Sequence, residues 1–167
     1  MSMAWHSILN IPIVTDSSYV CRATKQDLCC SLGASAFIDL RERDMGNTVL
    51  ELTSSLGAHA VINCAGSEIS YSQAIKLLRR GGTLVCVGLP SNKAYCLPIN
   101  PMEMVVRGLH VVGSSVGTEE EMQELLQLAK NGEVVPRVDV LPLERYREAI
   151  QMVKTSRASG KVVLEMP

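Results

Sequence analysis

Apolar and polar positions along the chain alternate between two rhythms. Short runs that are almost wholly apolar recur at 34–40 (ASAFIDL), 58–66 (AHAVINCAG), 83–90 (TLVCVGLP), 109–115 (LHVVGSS) and 161–166 (KVVLEM). Such runs, bounded by glycine, predict strands covered on both faces. Between them lie longer stretches with apolar residues three and four apart, which predict helices at 24–33, 43–57, 67–82, 101–108, 118–133 and 143–160. In 43–57 the spacing is carried by Val49, Leu50, Leu52 and Leu56, and in 118–133 Met122, Leu125, Leu126 and Ala129 form the packing face. The punctuation agrees with these limits. Ser67 is placed as an N-cap, Pro101 as a first-turn proline, and Gly33, Gly57 and the Gly81–Gly82 pair as helix stops. A further strand is predicted at 11–16 (IPIVTD), with Pro12 near its start. Strand and helix alternate throughout, so the expected fold is α/β: a doubly wound, mainly parallel sheet in a single domain.

Composition narrows the function classes. The 167 residues are 47% hydrophobic, enough for a real core, yet only 4% aromatic, so that core must be aliphatic. The formal net charge of −1 leaves no basic excess to neutralise phosphates, which argues against nucleic acid as a partner. No apolar run approaches the ~20 residues of a membrane helix, and the start of the chain lacks the basic segment and cleavage site of a signal peptide, so a cytoplasmic location is expected. The six cysteines include no C-x-x-C pair, so no zinc site is expected, and Cys64 and Cys86 read as reduced core thiols.

The blocks SLGASAFIDLRERD, ELTSSLGAHAVINCAGSEISYSQAIKLLRRGGTLVCVGLP, INPMEMVVRGLHVVGSSVG and ASGKVVLEM follow one another in order. Together they resemble the zinc-dependent alcohol dehydrogenases of the medium-chain dehydrogenase/reductase family, most closely the fungal type. The likeness runs from about residue 25 to 166. It implies that residues 21–167 are the distal part of a Rossmann coenzyme domain, truncated, behind a divergent segment at 1–20. It further implies that the strand ends face NAD(H) or NADP(H). Cys64, Ala65 and Gly66 match the turn bordering the adenosine ribose. Val87, Gly88 and Leu89 match the backbone run beside the nicotinamide, and Ser114 and Val116 match positions whose main chain meets the carboxamide. Lys161 matches a family arginine on the pyrophosphate, with its charge kept and its bidentate fork lost. The residues themselves agree with this placement. Ligands of doubly wound sheets collect at the carboxyl ends of strands, and Gly66, Gly88 and Gly113 sit near such ends, where a missing side chain lets backbone approach a ligand.

Other family features have no counterpart in the 167 residues. No G-x-G-x-x-G phosphate loop occurs, and no segment matches the zinc-bearing catalytic domain. Asp16 is the best candidate to hold ribose hydroxyls, and its other reading is a turn residue or helix cap. The expectation is therefore a coenzyme-binding fragment of an NAD(P)-dependent oxidoreductase, redox-incompetent alone and weak in its affinity for coenzyme. Two other readings stay open. One is a non-redox isomerase, lyase or cyclase that uses Cys64, Ser114, Ser115 and His110 on a small molecule in the remnant cleft. The other is a non-catalytic partner of a full-length homologue. The G-x-S-x-G pattern at 113–117 lacks a histidine downstream of Ser115, which a hydrolase triad of that kind needs. The apolar strand at 109–115 invites edge pairing, and the resemblance implies a homodimer through it.

Overall fold

The computed structural model describes residues 26–31, 34–39, 44–155, 157–158 and 160–166. The strand expected at 11–16, Asp16 and the divergent segment at 1–20 lie outside them. The chain divides into two compact units, one ending at Ser115 and the other starting at Val116.

The first unit contains, in order, α1 (Gln26–Ser31), α2 (Met45–Leu52), β1 (Ala58–Asn63), α3 (Glu68–Leu77), β2 (Leu78–Cys86), α4 (Pro101–Arg107) and β3 (His110–Gly113). Its three strands form one sheet in the order β1-β2-β3, with both pairs parallel. Asn63 pairs with Cys86 and Cys86 with Gly113, so all three strands end level. This is the Rossmann-like α/β architecture that the alternation predicts. Parallel neighbours need a crossover, and α3 and α4 lie in the two connections.

The core forms where α3 meets the sheet. Ser70, Tyr71, Ala74, Ile75 and Leu77 are the buried residues of α3, a helical spacing. They join Val61 of β1 and Leu84 of β2, which is fully buried, together with Val49 of α2, Ile38 and Leu109. Local capping sets most helix limits. The Ser67 Oγ accepts from the Ser70 N–H at 3.1 Å, and Asn100 Oδ1 accepts from the Glu103 N–H at 2.8 Å. Gly108 closes α4 in the left-handed region at φ 63°.

Four expectations change. The helix predicted to run to residue 82 ends at Leu77, and the five residues after it belong to β2. Leu78 is extended (φ −71°, ψ 140°). The ladder then slips, since Ala58 faces Leu78 but Ala60 faces Thr83. Gly81 and Gly82 serve this slip and not a helix end: Gly81 sits at φ +71°, and a Cβ on Gly82 would stand 2.8 Å from the Arg79 carbonyl oxygen. Second, α2 stops at Leu52, before a turn with positive φ at Ser54, Ser55 and Gly57. Third, residues 34–39 join no ladder among the described residues, although Ile38 packs in the core. Fourth, Cys64 is exposed, because it stands one residue past the end of β1, and Cys86 is only partly buried.

The second unit holds α5 (Glu119–Lys130), β4 (Val138–Pro142), a 3-10 turn (Leu143–Arg145), α6 (Tyr146–Lys154) and β5 (Lys161–Glu165). β4 and β5 pair in parallel as a two-stranded sheet. A capping box opens α5: Thr118 Oγ1 accepts from the Glu121 N–H at 3.2 Å, and the Glu121 carboxylate accepts from the Thr118 N–H at 2.7 Å. The apolar face of α5 stays about half exposed at Met122, Leu125 and Leu126. No helix among the described residues is long and apolar enough to cross a membrane.

Candidate functional site

The level carboxyl ends of β1, β2 and β3 bring together residues 63–66, 86–89 and 113–115. None of these carries a charged side chain. Main-chain hydrogen bonds lock the ends to one another. The Asn63 carbonyl accepts from the Val87 N–H at 3.0 Å and from the Gly88 N–H at 2.9 Å, and the Ser114 N–H donates to the Cys86 carbonyl at 2.9 Å.

Two glycines make this closeness possible. A Cβ on Gly88 would lie 2.3 Å from the Ala65 carbonyl oxygen, and one on Gly66 would lie 2.5 Å from the Leu89 carbonyl oxygen. Both contacts are to backbone and cannot be relieved by a rotamer change. Gly66 and Gly88 therefore admit each other's strand end, where the sequence suggested a ligand. Around Gly113 the space is open, with nothing within 4 Å of its Cβ position.

A buried polar network holds the turn after β1. Asn63 is 1% exposed. Its Oδ1 accepts from the Ala65 N–H at 3.0 Å, and its Nδ2 donates to Ser70 Oγ at 3.1 Å. Ser70 Oγ in turn donates to the Ser67 carbonyl at 2.7 Å. Every polar atom of this set has a partner, which such burial demands.

Tyr71 completes the frame from α3. Its hydroxyl donates to the Gly88 carbonyl at 2.5 Å. Its ring lies 6.2 Å from that of Tyr95, whose own hydroxyl donates to the Glu68 carbonyl at 3.1 Å. Burial, with the Cys86 thiol alongside, pushes the Tyr71 pKa up to about 12. Burial also raises the Cys86 thiol, against the opposing hydrogen bond with Tyr71.

The sequence-predicted residues fall into three places. Cys64, Ala65, Gly66, Val87, Gly88, Leu89, Ser114 and Ser115 stand together at the carboxyl ends of the first unit's strands. His110 pairs with Thr83 at the opposite end of β3, some four residues and ~13 Å of strand from Ser114. Val116 and Lys161 belong to the second unit, Val116 as an almost fully exposed residue and Lys161 at the start of β5. Asn63, Ser70 and Tyr71 were missed. The signal was present, as one amide inside an apolar strand and two hydroxyls on the buried face of α3.

The β2 end of this wall is apolar and exposed. Leu89 is 88% exposed and Val87 41%. An uncharged apolar wall suits the planar rings and sugar edges of a nucleotide, and groups outside it must meet any phosphate. Among the described residues no group of three or more His, Cys, Asp or Glu could hold a metal ion.

Comparison with known proteins defines the class. The family described as zinc-binding dehydrogenase matches residues 12–131. The chain belongs to that family, as an alcohol-dehydrogenase-like member of the medium-chain dehydrogenase/reductases. An alcohol dehydrogenase of Geobacillus stearothermophilus is 34% identical over 142 residues, 85% of this chain and 41% of that protein. The crystal structure of the alcohol dehydrogenase from the hyperthermophilic archaeon Aeropyrum pernix superposes with a TM-score of 0.77 at 29% identity, covering 86% of this chain and 40% of that one. A solved NAD-dependent alcohol dehydrogenase superposes with a TM-score of 0.75 at 26% identity, covering 87% and 42%. The chain thus spans about two fifths of the length of the relatives it matches.

Proposed function

We propose that the strand ends of the first unit form one wall of a nicotinamide-coenzyme site in an alcohol-dehydrogenase-like oxidoreductase of the fungal type. The observation that carries this reading is the closed, uncharged end of the parallel sheet, with Val87 and Leu89 exposed on it, in a chain of this family. When bound, the coenzyme supplies the acceptor or donor of hydride. The chain's own part is to bind and orient. Val87 and Leu89 offer an apolar face to a planar ring, and Cys64 through Gly66 offer a turn beside a sugar. The Ser114 N–H is committed to Cys86, which leaves the Ser114 carbonyl and hydroxyl for a ligand. By themselves the 167 residues bind NAD(H) or NADP(H) weakly and are redox-incompetent, because no segment of them matches the zinc-bearing catalytic domain. The protein acts in the cytoplasm.

Calorimetric titration of the purified chain with NADH, and with NADPH in comparison, tests the reading. Dissociation constants in the hundreds of micromolar, on the scale of ~5 kcal/mol, are expected for a single wall. Absence of binding at millimolar coenzyme overturns it. The non-redox alternative has less support, because His110 stands at the far end of β3 from Cys64, Ser114 and Ser115.

The open edge of β3 is proposed as a homodimer contact through residues 109–115. Val112 there is 49% exposed, and among the described residues β3 has a neighbouring strand on one side only. A monomer by light scattering at micromolar concentration would refute that contact.

A further inference from the structure

The end of α5 is closed by main-chain bonds around one dipeptide. The Asn131 N–H donates to the Gln127 carbonyl, the Gly132 N–H to that of Ala129 and the Glu133 N–H to that of Leu128, each at 3.0 Å. Gly132 is left-handed at φ 78°, and with it the last two bonds make a Schellman cap. That position calls for glycine. Asn131 and Gly132 are the only Asn-Gly pair in the 167 residues. Asn131 is exposed, and its amide is tied at both atoms. Its Oδ1 accepts from Gln127 Nε2 and its Nδ2 donates to Glu133 Oε1, both at 3.1 Å. The residue that closes the helix thus sets an unshielded backbone nitrogen next to a side-chain amide carbon.

We propose that Asn131 is a site of spontaneous modification, deamidation through a cyclic imide, and that the cap of α5 sets its rate. The Gly132 nitrogen attacks Asn131 Cγ and gives its proton to water or hydroxide. The Cγ–Nδ2 bond breaks and ammonia leaves. Water then opens the ring to aspartate, or to the isomer whose chain runs through the side-chain carbonyl. No oxidant or reductant takes part. Attack takes the Gly132 nitrogen from its bond to Ala129, and bringing Cγ onto it breaks the bonds to Gln127 and Glu133. The folded cap therefore slows the step. The product undoes the cap. A carboxylate replaces the amide at the negative end of the α5 dipole, and it meets Glu133 where a donor stood. The isomer also adds an atom to the backbone, which shifts the Gly132 and Glu133 N–H groups off their carbonyls. Once modified, the last turn of α5 opens.

The test ages the 167-residue chain in mildly alkaline buffer, folded and unfolded in urea. Trypsin cuts after Lys130 and Arg137, so Asn131 travels in a peptide of its own, residues 131–137. Mass spectrometry follows the fraction of that peptide that is one dalton heavier. The gain is expected there before any other asparagine. The folded chain should convert about tenfold more slowly than the unfolded one, the combined worth of the bonds that must break. Gln127→Ala should raise the folded rate about twofold, the worth of an i,i+4 amide pair. Gln123→Ala, one turn earlier, should leave it unchanged. Asn131→Asp should lower the helical circular dichroism of the chain. Equal rates in the folded and unfolded chain, or a Gln127→Ala rate no higher than that of Gln123→Ala, overturn control by the cap. A folded chain that keeps its amide long after the unfolded chain has converted, or that gains mass first at another asparagine, overturns the site itself.

Discussion

Replacing Arg107 with alanine tests how the first unit is held behind the candidate site. The Arg107 Nη2 donates to two carbonyls at the end of α3, to Leu78 at 2.6 Å and Ile75 at 3.2 Å, while Nη1 contacts Glu103 Oε1 at 2.6 Å. The last carbonyls of a helix have no partners within it, and here a cation supplied from α4 meets them at the negative end of the dipole. A hydrogen bond from a charged donor contributes ~1.5–3 kcal/mol when buried. This side chain is 22% exposed, so water replaces part of the loss, and the 3.2 Å bond is the weaker of the two. Arg107→Ala should therefore cost about 2–3 kcal/mol. The ion pair itself contributes little, since an i,i+4 pair is worth ~0.3–0.5 kcal/mol. Glu103→Gln should thus cost less than ~0.5 kcal/mol. Urea unfolding followed by circular dichroism reads both variants. At a slope of ~1–3 kcal/mol/M the Arg107→Ala midpoint should fall by about 1–2 M, with the slope unchanged. A midpoint indistinguishable from that of Glu103→Gln would refute the reasoning, because the bonds to the α3 carbonyls would then carry nothing.

Further outcomes follow from the same contacts. Gly88→Ala places a methyl on the Ala65 backbone and should cost more than ~2 kcal/mol with loss of coenzyme binding, whereas Gly113→Ala meets no atom and should be neutral in the same unfolding assay. Asn63→Leu strands the Ala65 N–H in the interior and should lower stability by ~1–3 kcal/mol, read from the thermal midpoint. Folding raises the Tyr71 pKa from its ordinary 10 to about 12, so the fold favours the protonated form. That stabilisation, on the order of 2 kcal/mol, is complete below pH 10 and is lost as pH climbs through 12. The stability of wild type should thus decline relative to Tyr71→Phe between pH 10 and 12, and parallel pH profiles would contradict this assignment. Thr118→Ala removes the capping box of α5 and should cost about 1 kcal/mol of stability in the second unit.

Elements set by local chemistry were legible in the sequence. Pro101 marked the start of the helix expected at 101–108, and the structure places α4 at Pro101–Arg107, with Asn100 as its N-cap and Gly108 as its left-handed C-cap. The early end of α3 was not legible. It depends on Arg107, which is 29 residues from Leu78, and on a ladder slip against Ala58, and neither leaves a local mark. The Gly81–Gly82 pair was visible as a break but not as a break inside a strand. At the site, glycines 66 and 88 were visible as special positions, yet the pattern could not say that each accommodates the other's strand end. Asn63 and Tyr71 were visible as an amide in an apolar strand and a hydroxyl on an apolar helix face, but their side chains bond to main-chain atoms of Ala65 and Gly88, and no side-chain motif encodes such partners. Cys64 was misplaced for a simpler reason: an apolar run does not tell which of its last residues has already left the sheet.

The closure between residues 64–66 and 88–89 separates two kinds of freedom at this end of the sheet. Distances there are set by carbonyls and amides packed where two side chains are missing. Character is set by Cys64, Val87 and Leu89, which project from that frame into the open. Exchanging those three leaves the shape of the wall intact while altering what it prefers to touch. A descendant of this chain could drift toward a new ligand by single substitutions at the lining, with no intermediate that fails to fold. The same drift at Gly66 or Gly88 has no viable first step.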